Sequence, residues 1–312
     1  MNFINFILII TLSAIVSCNN YPSLTAPLYG SDLLSRRGRF TLVLIGILSG
    51  LLIEGWKLSK FTEAVFITQT SLIEIGFIFT IFLFLILTLF GIPISFSHVL
   101  CLFLIGSAFS LSLCINISYV TLLIVSWFIS PFISIVISYV TCALIDRKLI
   151  KINIWKRAQI IKLLLIISSL YASYVFGSNT LGLLIAIISQ SNQFLSFDLF
   201  IVMAGTLVGV ILCRESFIRR VGKDLCELGY STALGAQLGS AIVVELFTQL
   251  SIPISITQTI VSGIVGSTLA KKVKIINWRN YLIVASQWAI SPILGLLFGL
   301  YSQSLTRLLL GV

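Results

Sequence analysis

Apolar stretches long enough to cross a bilayer recur from the first residues almost to the last, and short polar or basic segments separate them. Stretches of that length read as membrane-spanning helices. Two of the apolar stretches are interrupted by nearly the same motif, Pro93-Ile94-Ser95-Phe96-Ser97-His98 and Pro253-Ile254-Ser255-Ile256-Thr257-Gln258, 160 residues apart. Proline and hydroxyl residues there break a helix and free backbone groups at membrane depth. Such groups are tolerated only where they face protein or a water-filled cavity. A matched pair of broken hydrophobic segments points to a binding site at a repeat interface.

The duplication extends further. Ser17-Cys18-Asn19-Asn20 matches Gly177-Ser178-Asn179-Thr180, and Gly106-Ser107 matches Gly266-Ser267, both at a spacing of 160. Trp127 with Ser130-Pro131 recurs as Trp288 with Ser291-Pro292 at 161, and Gly46/Gly50 as Gly205/Gly209 at 159. One nearly constant offset implies two structural repeats, residues 1–145 and 158–312, joined by a basic linker at 146–157.

Charge sets their relative orientation. Arg36, Arg37 and Arg39 follow the first apolar segment, whereas the equivalent loop near 191–196 has no charge. Lys271, Lys272, Lys274 and Arg279 follow the second interrupted segment, whereas the loop near 112–118 has none. Basic residues therefore swap sides between equivalent loops, as inverted repeats require under the positive-inside rule. The scheme puts seventeen of the twenty Lys and Arg inside and three (Lys57, Lys60, Arg307) outside. It closes only if 72–111 and 231–270 each enter and leave on one face as re-entrant helical hairpins. The expectation is an all-α integral membrane protein with two inverted-topology repeats, each with a broken first helix and one such hairpin. It would be multi-pass in the cell membrane with both termini extracytoplasmic.

Composition agrees with this picture: 58% of residues are hydrophobic and 10% charged, with a mean hydropathy of +1.12. The net charge of +10 lies in the loops as topology signals, so nucleic acid is not an expected partner. The six cysteines form no CxxC pair and no metal spacing with the single His98, and they read as small buried residues. Residues 3–18 look loosely like a lipoprotein signal but lack a basic start. They read as the first membrane span.

Gly91-Ile92-Pro93-Ile94-Ser95-Phe96-Ser97-His98, then Gly106, then Ser126-Trp127 with Ser130-Pro131, resembles the inorganic phosphate transporter (PiT) family, whose motifs read PxSTTH, glycine, SWxxSP. The second repeat fits equally well through Pro253–Gln258 and Trp288 with Ser291-Pro292, and Ile218–Asp224 resembles the family's intracellular segment. The resemblance implies a permease for inorganic phosphate working by alternating access, coupled to sodium or protons. It implies no further cofactor, and a homodimer in the bilayer as the candidate assembly. The family's GANDVANA motif appears here with Asn19 and Asn179 in place. Its aspartates are replaced by Asn20 and Thr180, its second asparagines by Ser23 and Leu183, and one tip hydroxyl in each repeat by Phe96 and Ile256. Each replaced aspartate removes a negative charge that would offset a bound cation.

Read from the residues themselves, half-helices starting near Val99 and Thr259 would present free N–H groups and a positive dipole end to an anion. Ser95, Ser97, Ser255 and Thr257 can donate hydroxyl hydrogen bonds, and Asn19 and Asn179 amide ones. Asn20 and Thr180 complete the candidate phosphate and ion ligands. His98, matched by the non-titrating Gln258, and Glu245, the carboxylate deepest in a span, are candidates for coupling. Asp32, Glu74 and Asp198 read as solvated span ends. Adjacent Ser97 and His98 lack a nucleophile–base geometry and an orienting third group, so an enzyme is not expected. A permease for another oxyanion such as sulfate, or a membrane protein that keeps the fold without transport, remains open at this stage.

Overall fold

The computed structural model describes residues 3–30, 33–65, 67, 69–89, 94–190, 195–213, 229–271 and 278–310. Their regular structure is helical, apart from one antiparallel bridge between Val65 and Ile115. The first half runs α1 (Phe3–Gly30), α2 (Arg36–Glu54), a 3₁₀ turn (Gly55–Leu58), α3 (Ser59–Ala64), α4 (Thr70–Leu89), α5 (Phe96–Ser110) and α6 (Ile117–Leu149). The second runs α7 (Ile154–Phe176), a π-helical turn (Gly177–Leu181), α8 (Gly182–Ser189), α9 (Leu195–Leu212), α10 (Tyr230–Gln249), α11 (Ile256–Ala270) and α12 (Trp278–Leu310). Among the described residues six helical stretches are long and apolar enough to cross a membrane, and α5, α9 and α11 supply shorter apolar helices.

The surface of α6 shows which solvent the fold is built for. Phe128, Phe132 and Val136 are 71%, 68% and 60% exposed, while Ser126, Ser130, Ser134 and Ser138 on the opposite face are at most 4% exposed. Large apolar groups point out and small hydroxyls point in. A water-soluble helix does the reverse, and a helix in lipid packs through its small residues.

The two halves interlock. Helix α6 of the first half packs along α11 of the second, and α12 of the second along α5 of the first. Likewise α1 packs on α9 and α7 on α2. The glycines marked by the sequence repeat make these crossings close: Gly46 and Gly50 lie against Ser173 and Tyr174, and Gly205 and Gly209 against Ile10, Ser13 and Ala14. A Cβ on Gly50 would meet the Tyr174 carbonyl, and one on Gly209 the Ala14 carbonyl. Backbone-to-backbone approach through small residues gives the van der Waals contact that holds helices together where lipid removes the hydrophobic drive.

The helix pairs α4–α5 and α10–α11 stand where the hairpins were expected, with residues 250–255 of the second outside both of its helices; residues 90–93 lie outside the described residues, as does the 218–224 segment. The expected break in the first helix of each half is not present. Helix α1 runs unbroken through Asn19 and Asn20 despite Pro22 and Pro27, and α7 passes into α8 through the π turn. Pro22 deprives the Cys18 carbonyl of its N–H four residues on, and the thiol of Cys213, just past the end of α9, donates to that carbonyl at 3.4 Å. Asp198, expected to be solvated, is 1% exposed; it sits in the first turn of α9, where the helix dipole favours a carboxylate. Residue 32 lies outside the described residues, and Glu74 is part-buried in α4.

Candidate functional site

The two hairpin tips meet. Ser97 Oγ, in the first turn of α5, donates to the Ile254 carbonyl of the second tip at 3.3 Å. Both helices beyond the tips begin at residues 96 and 256, three residues earlier than expected, because Ser95 and Ser255 act as N-caps. Ser95 Oγ accepts from His98 N, and Ser255 Oγ from Gln258 N, each at 3.4 Å. The same hydroxyls keep their own protons to donate, and Ser255 Oγ lies 3.0 Å from Thr257 Oγ1. Ser95, Ser97 and Ser255 are buried; Thr257 is half-buried.

Asn179 holds the second tip. Its Oδ1 accepts from Ile254 N at 3.1 Å, and its Nδ2 donates to the Ile252 carbonyl at 3.3 Å and to Thr248 Oγ1 at 2.9 Å. The tip needs such a partner: Ser251 turns with φ of 63°, Pro253 has no N–H, and the intervening backbone has left the helix. The asparagine sits in the π turn, and its completely buried side chain faces protein. An amide, which donates and accepts, suits both a bare carbonyl and a bare N–H. Thr180 beside it is buried too. In the first half, Asn20 is buried and donates to the Val16 carbonyl at 2.9 Å, while Asn19 is half-buried.

Helix α6 closes the second tip from the other side. Trp127 Nε1 donates to the Pro253 carbonyl at 2.8 Å, and Tyr119 Oη to the Ser251 carbonyl at 2.6 Å. Pro131, four residues after Trp127, cannot donate to the Trp127 carbonyl. Gln258 Nε2 does so instead at 3.1 Å. The tryptophan and proline of the repeated motif therefore have one combined use: the ring pins the tip, and the carbonyl freed by proline pins the helix after it. The Trp127 ring also lies 4.3 Å from the His98 imidazole, so one side chain touches both tips. Sequence reasoning placed Trp127 in the family motif without giving it a role, and Tyr119 and Gln258 in the site were missed. For Gln258 the signal was Pro131, four residues after Trp127, which leaves a carbonyl needing a donor; Tyr119 had no such signal.

Glu245 is not alone. It accepts from Gln249 Nε2, which also donates to Glu54 Oε1 at 3.1 Å, and Lys57 Nζ pairs with Glu54 Oε1 at 2.7 Å. One oxygen on each carboxylate, Glu54 Oε2 and Glu245 Oε2, is buried without a protein partner. This carboxylate pair lies at the end of α2 and on α10, apart from the hydrogen bonds of the tip junction.

The sequence profile of the phosphate transporter family (PHO4) matches residues 16–299. The chain belongs to the phosphate transporter family. It is 30% identical, over 95% of both chains, to a protein of Methanocaldococcus jannaschii assigned as a phosphate permease. It is 22% identical to a Bacillus subtilis protein assigned as a low-affinity inorganic phosphate transporter, across 65% of this chain and 64% of that one. Its fold matches a solved sodium-dependent phosphate transporter with a TM-score of 0.81, at 17% identity and 98% coverage of both chains. This phosphate transporter family member is a multi-span membrane protein and not an enzyme.

Proposed function

We propose that the protein is an inorganic phosphate permease that works by alternating access, with phosphate held where the two hairpin tips meet. The observation that carries this reading is the Ser97–Ile254 contact between tips from different halves, in a chain of the phosphate transporter family. Ser95, Ser255 and Thr257 supply hydroxyl donors to the anion, and Ser97 supplies a fourth when its bond to the Ile254 carbonyl opens. Asn19, Asn20 and Thr180 of the first helices are the further candidate ligands, and Asn179 backs the second tip. The starts of α5 and α11 add positive dipole ends. No basic side chain is needed, because a transporter must also let its anion go.

The halves are related by inversion in the membrane plane, an arrangement supported by the exchange of packing partners between them and by the basic residues. The protein sits in the cell membrane with both termini outside, in a homodimer. Transport is coupled to sodium or protons, and with the motif aspartates missing the Glu54–Glu245 pair is the candidate supply of negative charge. His98 is the second coupling candidate. Uptake of labelled phosphate and sulfate into proteoliposomes, with imposed sodium or proton gradients, tests the reading. Phosphate accumulation that needs one of the gradients supports it, and uptake of neither anion overturns it.

A further inference from the structure

Gln258 and His98 occupy matching positions in the first turn after each tip, and both keep buried polar atoms without a protein partner. They are 4% and 1% exposed. The unpartnered atoms are Gln258 Oε1 and both ring nitrogens of His98. Buried polar groups left this way are costly and uncommon. The orientation of the Gln258 amide follows from its partner. The Trp127 carbonyl can only accept, so the NH₂ faces it, and Oε1 is left as an atom that can only accept. His98 cannot use Trp127 in this way, because its ring lies against the tryptophan ring. An uncharged imidazole offers one donor and one acceptor.

An acceptor is the wrong group to place beside a bare oxyanion, which has no hydrogen to give. Phosphate and arsenate keep a hydroxyl at neutral pH, and sulfate does not. We propose that Gln258 Oε1, together with the acceptor nitrogen of His98, recognises phosphate by the proton that it carries. The hydroxyls of Ser95, Ser97, Ser255 and Thr257 bind any tetrahedral oxyanion and do not discriminate. Beside sulfate, Gln258 Oε1 would lie against an unprotonated oxygen with its hydrogen bond unmade. A site built to pair a substrate hydroxyl rejects the analogue lacking it far more strongly than a pocket rejects an analogue of different size. This inference rests on the phosphate-permease reading and deepens it.

The test is competition against labelled phosphate uptake in proteoliposomes, with arsenate and sulfate as competitors. In the wild type, arsenate competes and sulfate does not. Gln258→Met, of similar length but with only a weak thioether acceptor, should raise the half-saturating phosphate concentration about tenfold or more, the usual effect of losing a hydrogen bond to a charged ligand. The arsenate-over-sulfate preference should fall by a similar factor. Gln258→His, which gives both tips the same residue and restores an acceptor, should keep the preference. Loss of packing alone would lower uptake of both anions together and leave their ratio fixed. If Gln258→Met does not insert, His98→Gln and His98→Met make the same comparison at the other tip, with the preference kept in the first and reduced in the second. A methionine variant with an unchanged ratio, or an acceptor-keeping variant that loses it, overturns this inference and leaves the permease reading standing. Wild-type uptake of sulfate equal to that of phosphate overturns the selectivity claim and the choice of phosphate together.

Discussion

Replacing Asn179 by leucine should unlock the second tip without touching the first. The leucine fills nearly the same volume but has no polar atom. Thr248 Oγ1 keeps its own bond to the Val244 carbonyl at 2.8 Å, so it is not stranded. The Ile254 N–H and the Ile252 carbonyl lose their Asn179 partner, in a tip where Ile252 and Ile254 are at most 1% exposed. An orphaned buried donor or acceptor costs about 1–3 kcal/mol, so the two together cost about 2–6 kcal/mol before the tip relaxes. A tip that moves to recover those bonds would pull the Pro253 carbonyl off Trp127 and the Ile254 carbonyl off Ser97, and the closed junction with them. The Asn179→Asp variant keeps the acceptor for Ile254 N–H, and its buried carboxyl takes up a proton rather than stay charged, which retains one donor, so its effect should be smaller than that of leucine. The assays are hydrogen exchange across residues 250–256, thermal unfolding of the detergent-solubilised protein, and phosphate uptake. The account predicts faster exchange confined to that segment, a lower unfolding midpoint and a weakened affinity, in the order wild type, Asp, Leu. An Asn179→Leu protein with wild-type exchange at Ile254 and wild-type uptake would refute the claim that this asparagine holds the tip.

Trp127→Phe removes the Nε1 donor to the Pro253 carbonyl and should cost about 1–3 kcal/mol of stability, read as a lower midpoint with the second tip again the faster-exchanging one. Ser95→Ala with Ser255→Ala should lower phosphate affinity about tenfold or more per site and destabilise each helix by about 1 kcal/mol through loss of the cap; unchanged uptake in a normally inserted protein would remove these hydroxyls from the site. Asn20→Asp with Thr180→Asp should steepen the sodium dependence, because a carboxylate offsets cation charge in a poorly screened site, while Glu245→Gln should weaken it if the Glu54–Glu245 pair has taken over that charge. Both are read from uptake against sodium concentration.

Most of the fold was legible because the duplication left repeated marks at one offset. Gly46/Gly50 and Gly205/Gly209 matter for their size alone, so their contact face could be read as a motif and found in the structure as the α2–α7 and α1–α9 crossings. The two hairpins were legible for the same reason, since proline and serine interrupt an apolar run only where something satisfies the backbone. The continuity of α1 was not legible. The Cys18 carbonyl that Pro22 leaves bare meets a thiol donor, Cys213, nearly two hundred residues away in the chain, and a proline in a span looks the same whether or not such a donor exists. The burial of Asp198 was hidden in the same way, because a carboxylate near a span end is solvated or enclosed according to what packs over it. In the site, the hydroxyls and Asn179 could be named from the sequence, but the work of Asn179 on the tip backbone could not. It required knowing that the second tip folds back onto the turn in the first helix of its own half.

The central claim is that phosphate is held between two hairpin tips that belong to different halves. Its most direct test is a paired-cysteine experiment in a background whose native cysteines are replaced, Cys213 by serine so that the Cys18 carbonyl keeps a donor, with Ser97→Cys and Ile254→Cys on the first and second tip. The account predicts that a disulfide joins them, that phosphate uptake stops, that a reducing agent restores it, and that phosphate but not sulfate slows the cross-linking by occupying the junction. A pair that does not cross-link, or that cross-links at the same rate at any phosphate concentration and leaves uptake intact, would contradict it.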